Sequence, residues 1–247
     1  VKGDYIGKFA DPFYDYDPNV TMTQDTTSYA AFAQNEWQFS EGWKLIAGLR
    51  YWRDVREGSY LGTAAPIPGL GQPQVTIIFN QDRIFPVFPG SSVTPDDAKK
   101  TFEGVTARLE LDYKLNDDTL VYASYNRGSK SGGFTFSTGT PFSPNQQAFL
   151  EGIPFKPEVL NALEVGVKTR LGETTTLNVS AFHYNYSDYQ AFAQFGPVQT
   201  VINLDAKETG LEVELASRPV EGLTLQLGLS ALNSTVKDVP LPDLATI

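Results

Sequence analysis

Two pairs of carboxylates stand at spacings that chemistry could use. Glu110 and Asp112 are two residues apart, as are Glu212 and Glu214, so in an extended chain each pair shares one face at about 6–7 Å. That separation suits the acid and base of a glycosidase. Arg108 stands on the same face as the first pair, however, and mixed acids and bases are ordinary on a strand face that meets water. No catalysis is expected from them. His183 is the only histidine, which excludes a centre built on several histidines, and no serine sits in a nucleophile-elbow pattern. Asp15, Asp17 and Asn19 alternate like the start of a calcium loop, but Val20 and Thr26 occupy the positions of its glycine and closing glutamate. The run Gly128 to Gly133, "GSKSGG", lacks the spacing of a phosphate-binding loop and the helix that must follow one. A loop tip is its expected place. The pattern implies no cofactor and no metal.

The bulk properties narrow the class of partner. The chain of 247 residues carries a formal charge of -10, the wrong sign for a nucleic-acid surface. It has no cysteine, so disulfides and thiolate metal sites are impossible. It contains no apolar run of about 18 residues that would form a membrane-spanning helix, and its first residues lack the order of a signal peptide. With 21 glycines, 16 prolines and 13% aromatic residues, the composition suits strands and turns.

The residues of chemical interest are positioned by strands. Between Val105 and Leu115, Val105, Ala107, Leu109, Leu111 and Tyr113 take one parity, and Thr106, Arg108, Glu110, Asp112 and Lys114 the other. Successive strand residues point to opposite faces, so the segment has one apolar and one charged face. Period-2 alternation predicts further strands at Ser28 to Phe39, Trp43 to Trp52, Thr119 to Arg127, Leu160 to Leu171, Thr175 to Tyr189, Thr209 to Ser217 and Leu223 to Ala231. The parity of the Thr119 and Thr175 strands is open, because neither face is decisively polar.

The connections alternate in length. Short turns lie at residues 40–42, 116–118, 172–174 and 218–222, and long insertions at 53–103, 128–159 and 190–208. Structureless loops beyond about 12–15 residues are rare in compact soluble domains. Transmembrane β-barrels carry them regularly, with short turns on the periplasmic side. The row Trp43, Leu45, Ala47, Leu49, Tyr51 has aromatics at both ends. At about 3.3 Å per residue and a tilt near 40°, it is about 20 Å high, close to a membrane band between aromatic girdles. A soluble sandwich with its apolar face inside has the same local alternation, so that reading stays beside the membrane one. The expected fold is all-β, an antiparallel transmembrane β-barrel. On that reading Arg50, Arg108, Glu110, Asp112, Glu164, Lys168 and Arg170 line a wet lumen, and the apolar rows meet outer-membrane lipid.

The stretches "YAAFAQNEWQFSEGWKLIAGLRY", "LVYASYNRGSKSGGF", "FKPEVLNALEVGVKTRL", "LNVSAFHYNYSDYQ" and "ETGLEVELASRPVEGLTLQLGLS", in this order, resemble the middle of the barrel of a TonB-dependent outer-membrane receptor. The resemblance implies a 22-stranded barrel, of which this chain supplies about eight strands, a plug domain in the lumen, and energy from the TonB protein. It implies a scarce ligand, most often a ferric siderophore. Residues 1–247 are expected to be a partial barrel domain without plug or terminal strands. The long insertions hold Tyr60, Phe79, Phe85, Phe88, Phe134, Phe136, Phe142 and Phe155 with Arg83 and Lys130. Of these, Tyr60, Arg83, Phe85, Lys130, Phe134 and Phe136 are candidates to grip a planar or anionic ligand. The rival use of such aromatics is to pack the loops together. Two other functions compete: a passive porin-like channel, and a soluble β-rich carbohydrate-binding protein.

Overall fold

The computed structural model describes residues 2–8, 18–64, 76–80, 83–87, 98–134, 154–195 and 198–237. Eight long strands follow one another in a single antiparallel sheet: β2 (Pro18–Ser40), β3 (Trp43–Ala64), β6 (Ala98–Lys114), β7 (Thr119–Lys130), β8 (Glu158–Leu171), β9 (Thr175–Phe195), β10 (Val198–Ser217) and β11 (Leu225–Lys237). A shorter strand, β1 (Lys2–Lys8), pairs with β2 at the open edge. Two more, β4 (Thr76–Asn80) and β5 (Arg83–Val87), form a hairpin beside the far end of β3.

All eight expected strands are present, and most run further than the apolar alternation does. β2 and β3 continue in register to Pro18 and Ala64, where hydrogen bonding between polar segments maintains the ladder. The insertion expected at 190–208 is largely a hairpin extension, because β9 reaches Phe195 and β10 begins at Val198. Backbone pairing needs no apolar face once a neighbouring strand is in place. Alternation therefore underestimated these ends.

The short turns are built by residues that tolerate unusual backbone geometry. Gly42, Gly172 and Gly222 have φ of 78°, 67° and 80°, the left-handed region that glycine enters without steric cost. The fourth turn instead uses Asn116, whose Oδ1 accepts the Asp118 amide at 2.9 Å, an Asx turn. Arg170 ties this turn to the next by donating from Nε at 2.8 Å and Nη2 at 2.5 Å to Asp118 Oδ1.

The pairing register fixes both faces. One face exposes Leu49, Tyr51, Val105, Leu109, Leu163, Val165, Leu211, Leu227 and Leu229. The other buries Ile46, Trp52, Phe102, Asp112, Ser124, Ala162 and Phe182. A single sheet has no second layer to bury a face, so this burial comes from side chains crowding on one side. At the short-turn end, Trp37, Phe39, Trp43 and Tyr113 form a chain of rings with centroids 5.5, 6.2 and 4.4 Å apart.

The apolar band does not run level across the strands. From Ala47, the middle of the row on β3, the register leads through Leu109, Tyr125, Leu163, His183 and Thr209 to Asn233 on β11. The leucine row of β11 (Leu225, Leu227, Leu229, Ala231) is centred at Gly228, five positions away. Over six strand spacings of about 4.8 Å, a drift of about 17 Å corresponds to a strand tilt near 30°. Closing a sheet into a barrel requires such a tilt, and transmembrane barrels have about 35–45°.

Candidate functional site: the charged face of the sheet

The strand parities left open by the sequence are set by their neighbours. Asp112 pairs with Tyr122 and Glu110 with Ser124, which places Leu120, Tyr122, Ser124 and Asn126 on the charged face. On β9, Ser180 opposite Gly166 and Phe182 opposite Glu164 put the even-numbered residues there too. Arg50, Arg108, Glu110, Asp112, Glu164, Lys168 and Arg170 all fall on this face.

Most of these charges are paired. Lys44 Nζ lies 3.1 Å from Asp112 Oδ2, and Arg108 Nη2 lies 2.7 Å from Glu110 Oε2. Tyr122 donates its hydroxyl to Glu164 Oε1 at 2.5 Å, and Lys168 Nζ stands 5.0 Å from the centroid of the same ring. The carboxylate pair Glu110–Asp112 is thus occupied by two cations, Arg108 and Lys44. That is the arrangement of a wet charged wall, and neither acid is left poised for catalysis. On β10, Glu214 accepts from Asn178 Nδ2 at 3.4 Å and Glu208 from Ser234 Oγ at 3.0 Å.

Tyr122 and Lys44 were absent from the expected site. Propagating the register from Asp112 through the turn at 116–118 would have found Tyr122, whereas Lys44 lies across the long insertion between β3 and β6 and carries no such signal. Three aromatics on this face lie over glycines directly opposite them: Trp52 over Gly104, Tyr122 over Gly166 and Phe182 over Gly210. A Cβ built on Gly166 would meet the Tyr122 ring at 2.6 Å. The missing side chain is what lets each ring lie flat on the wall.

At the long-loop end, side chains tie the strand ends together. Lys156 donates its amide to Asn203 Oδ1 at 2.7 Å, and Asn203 Nδ2 returns bonds to the carbonyls of Lys156 and Asp188. Gln190 Nε2 donates to the carbonyls of Ser131 and Lys156. The Gly128–Gly133 run is no loop tip. Residues 128–130 complete β7, Gly133 bridges to Phe155, and a Cβ on Gly132 or Gly133 would strike Phe102, Phe155 or Arg56. Glycine is used there for close packing.

Of the expected loop contacts, Lys130 is exposed at the end of β7 opposite Glu158, and Phe134 is 6% exposed. Tyr60 lies within β3, and Arg83 and Phe85 within β5. Phe136, with Asp15 and Asp17 of the calcium-like run, lies outside the described residues. His183 is on the apolar face, its Nδ1 2.8 Å from Thr209 Oγ1. Among the described residues no group of three metal-binding side chains occurs.

Residues 2–244 match the family model described as "TonB dependent receptor-like, beta-barrel". The chain is also similar to solved structures. Against the ferric yersiniabactin uptake receptor FyuA of Yersinia pestis, identity is 20% and the TM-score 0.67, covering 94% of this chain and 30% of that one. The ferric-catecholate import receptor Fiu of E. coli gives 18% and 0.55, covering 94% and 37%. The siderophore receptor PiuA of Acinetobacter baumannii gives 19% and 0.53, covering 89% and 26%. The chain therefore spans about a third of the length of these receptors. The shared fold also decides between the two solvents left open by the alternation, since a soluble sandwich does not belong to it. The tilted, two-faced sheet is part of a bacterial outer-membrane barrel, and the chain belongs to the TonB-dependent receptor-like β-barrel family.

Proposed function

We propose that the receptor containing this chain takes up a ferric siderophore across the outer membrane with energy from TonB. Here the apolar face meets lipid, and the face carrying Arg50, Arg108, Glu110, Asp112, Glu164, Lys168 and Arg170 lines the lumen, in contact with water and a plug domain. The observation that carries this reading is the family match over residues 2–244, joined to a sheet whose apolar face is the exposed one. The siderophore is suggested by the three receptors above, described respectively as a ferric yersiniabactin uptake receptor, a ferric-catecholate import receptor and a siderophore receptor. Lumen charges in mutual pairs suit a wall that must stay hydrated without holding a free ion. The candidates Tyr60, Arg83, Phe85, Lys130 and Phe136 supply first contact with the ligand, while Phe134, being buried, acts by holding the loop base.

The test is binding and uptake by the full-length receptor. Intrinsic fluorescence quenching by a panel of ferric catecholates, hydroxamates and phenolates should show saturable binding of one class. Iron-limited growth on that class should require both the receptor and TonB. Steady ion conductance with no saturable ligand would point to a passive channel and overturn the reading.

A further inference from the structure

We infer that the apolar face carries, near its long-loop edge, a seat for an outer-leaflet glycolipid whose headgroup bears two phosphates. The inference rests on the proposal that this face meets lipid. The pairing register aligns Arg127 on β7, Asn161 on β8, Asn185 on β9 and Lys207 on β10 in one row across four neighbouring strands. Their parity puts all four on the face that exposes Leu163, Val165 and Leu211. Three strand spacings of about 4.8 Å separate the two cations by about 14 Å at the backbone.

Neither cation has a carboxylate partner among the described residues. Elsewhere toward this end the cations are matched: Lys99 pairs with Glu57, and Lys156 Nζ lies 3.1 Å from Asp188 Oδ1. Asp205, two positions beyond Lys207, stands opposite Lys237 on β11 and accepts the Asp188 amide at 3.3 Å. Between the two cations, Asn161 Oδ1 accepts from the Tyr125 hydroxyl at 2.8 Å and from Arg127 Nη1 at 2.9 Å. Those bonds hold the guanidinium in place and leave the Asn161 Nδ2 hydrogens to donate. The other guanidinium N–H groups suit a phosphate, and the exposed Lys207 supplies a second positive charge.

Depth favours the same occupant. Short turns lie on the periplasmic side, so the row belongs to the outer leaflet. Projected along the tilted strands, Arg127 stands about 10 Å and Lys207 about 17 Å from the bilayer middle. The edge of an apolar band about 25 Å tall falls between them, where long cationic side chains reach into the headgroup layer. Beneath the row, Leu163 and Val165 are 55% and 56% exposed and offer apolar surface to acyl chains. Two cations flanking two amides match two phosphates joined by a hydroxyl-bearing sugar scaffold. A zwitterionic lipid has one phosphate, already accompanied by its own cation.

The experiment places the full-length receptor, freed of other cysteines, in phosphatidylcholine nanodiscs. A diphosphorylated glycolipid with a fluorescent acyl chain is titrated in and followed by energy transfer from the receptor's tryptophans. Binding should saturate, and a glycolipid without phosphates should bind at least about tenfold more weakly. Lys207→Gln, on an exposed side chain, should weaken binding about tenfold, as should Arg127→Gln, while Lys207→Arg retains it. Lys99→Gln, on the same face but already matched by Glu57, should change it less than about twofold. Equal losses in Lys99→Gln and Lys207→Gln would mean diffuse charge attraction and overturn the seat, as would binding indifferent to the phosphates. Displacement by millimolar inorganic phosphate would make the row a free-phosphate site and overturn the lipid assignment. A fluorophore at Leu163→Cys tests the orientation separately. Strong quenching by brominated phosphatidylcholine is expected whatever the titration gives, and its absence would overturn the lipid-facing reading itself.

Discussion

Arginine placed on the apolar face measures depth as well as orientation. Leu109 on β6 is 50% exposed on that face, and its register partner Ala47 marks the middle of the apolar row on β3. Leu109→Arg therefore puts a charge close to the bilayer midplane, at a cost of about 2–4 kcal/mol. Thr106→Arg, on the other face opposite Arg50, adds only a like-charge contact in water, about 0.5 kcal/mol or less. The tilt makes a sharper prediction on β11. Asn233 shares the register row of Leu109 but lies five positions from the centre of its own leucine row. Five residues at about 3.3 Å, projected along a strand tilted by about 30°, amount to about 14 Å of height. That places Asn233 at an interface, where a charge costs about 0–1 kcal/mol. Leu229→Arg, one residue from the centre, should again cost about 2–4 kcal/mol. The assay is reversible guanidinium unfolding of the full-length receptor in lipid vesicles, followed by tryptophan fluorescence. Equal costs at Leu109 and Thr106 would refute the two-faced sheet. An Asn233→Arg cost as large as that of Leu109→Arg would refute the tilt.

Three further outcomes follow from the charged face and its turns. Gly166→Ala sets a methyl 2.6 Å from the Tyr122 ring, and should destabilise by about 1–3 kcal/mol, the usual cost of overpacking; Tyr122→Ala in the same unfolding assay should relieve most of the Gly166→Ala penalty. Lys44→Met leaves Asp112 buried with neither oxygen paired and should cost about 1–3 kcal/mol; the double variant with Asp112→Leu should be the more stable of the two, and additive losses would contradict the pairing. At the turn, hydrogen bonding and charge from Lys114 hold the exposed Asp117 carboxyl below its ordinary range. Its small contribution to stability is present above the ordinary carboxylate range and lost only as pH falls through the lowered value; Lys114→Ala should raise the Asp117 midpoint in a carboxyl NMR titration.

Alternation made the eight long strands legible because one face is apolar and the other charged over about nine residues. It failed where that contrast failed. Leu120, Tyr122 and Val121 give no polar side, yet the pairing of Asp112 with Tyr122 fixes the parity at once, so the information lay in the neighbouring strand. The extensions of β2, β3, β9 and β10 were hidden because their ladders are held by backbone bonds whose side chains carry no period. In the site, the type and spacing of Arg108, Glu110 and Asp112 were plain, but the Lys44–Asp112 pair and the rings over Gly104, Gly166 and Gly210 join residues far apart in sequence. The "GSKSGG" run misled because glycine serves turns and close packing alike, and only the positions of Phe102, Phe155 and Arg56 separate the two uses.

Whether a barrel wall separates lipid from a water-filled lumen is tested by a nitroxide scan along Val105 to Lys114 in the full-length receptor in bilayers. Val105, Ala107, Leu109, Leu111 and Tyr113 should be accessible to oxygen, and Thr106, Arg108, Glu110 and Asp112 to a water-soluble nickel complex, with a period of two. Loss of the alternation, or the opposite phase, would contradict such a wall.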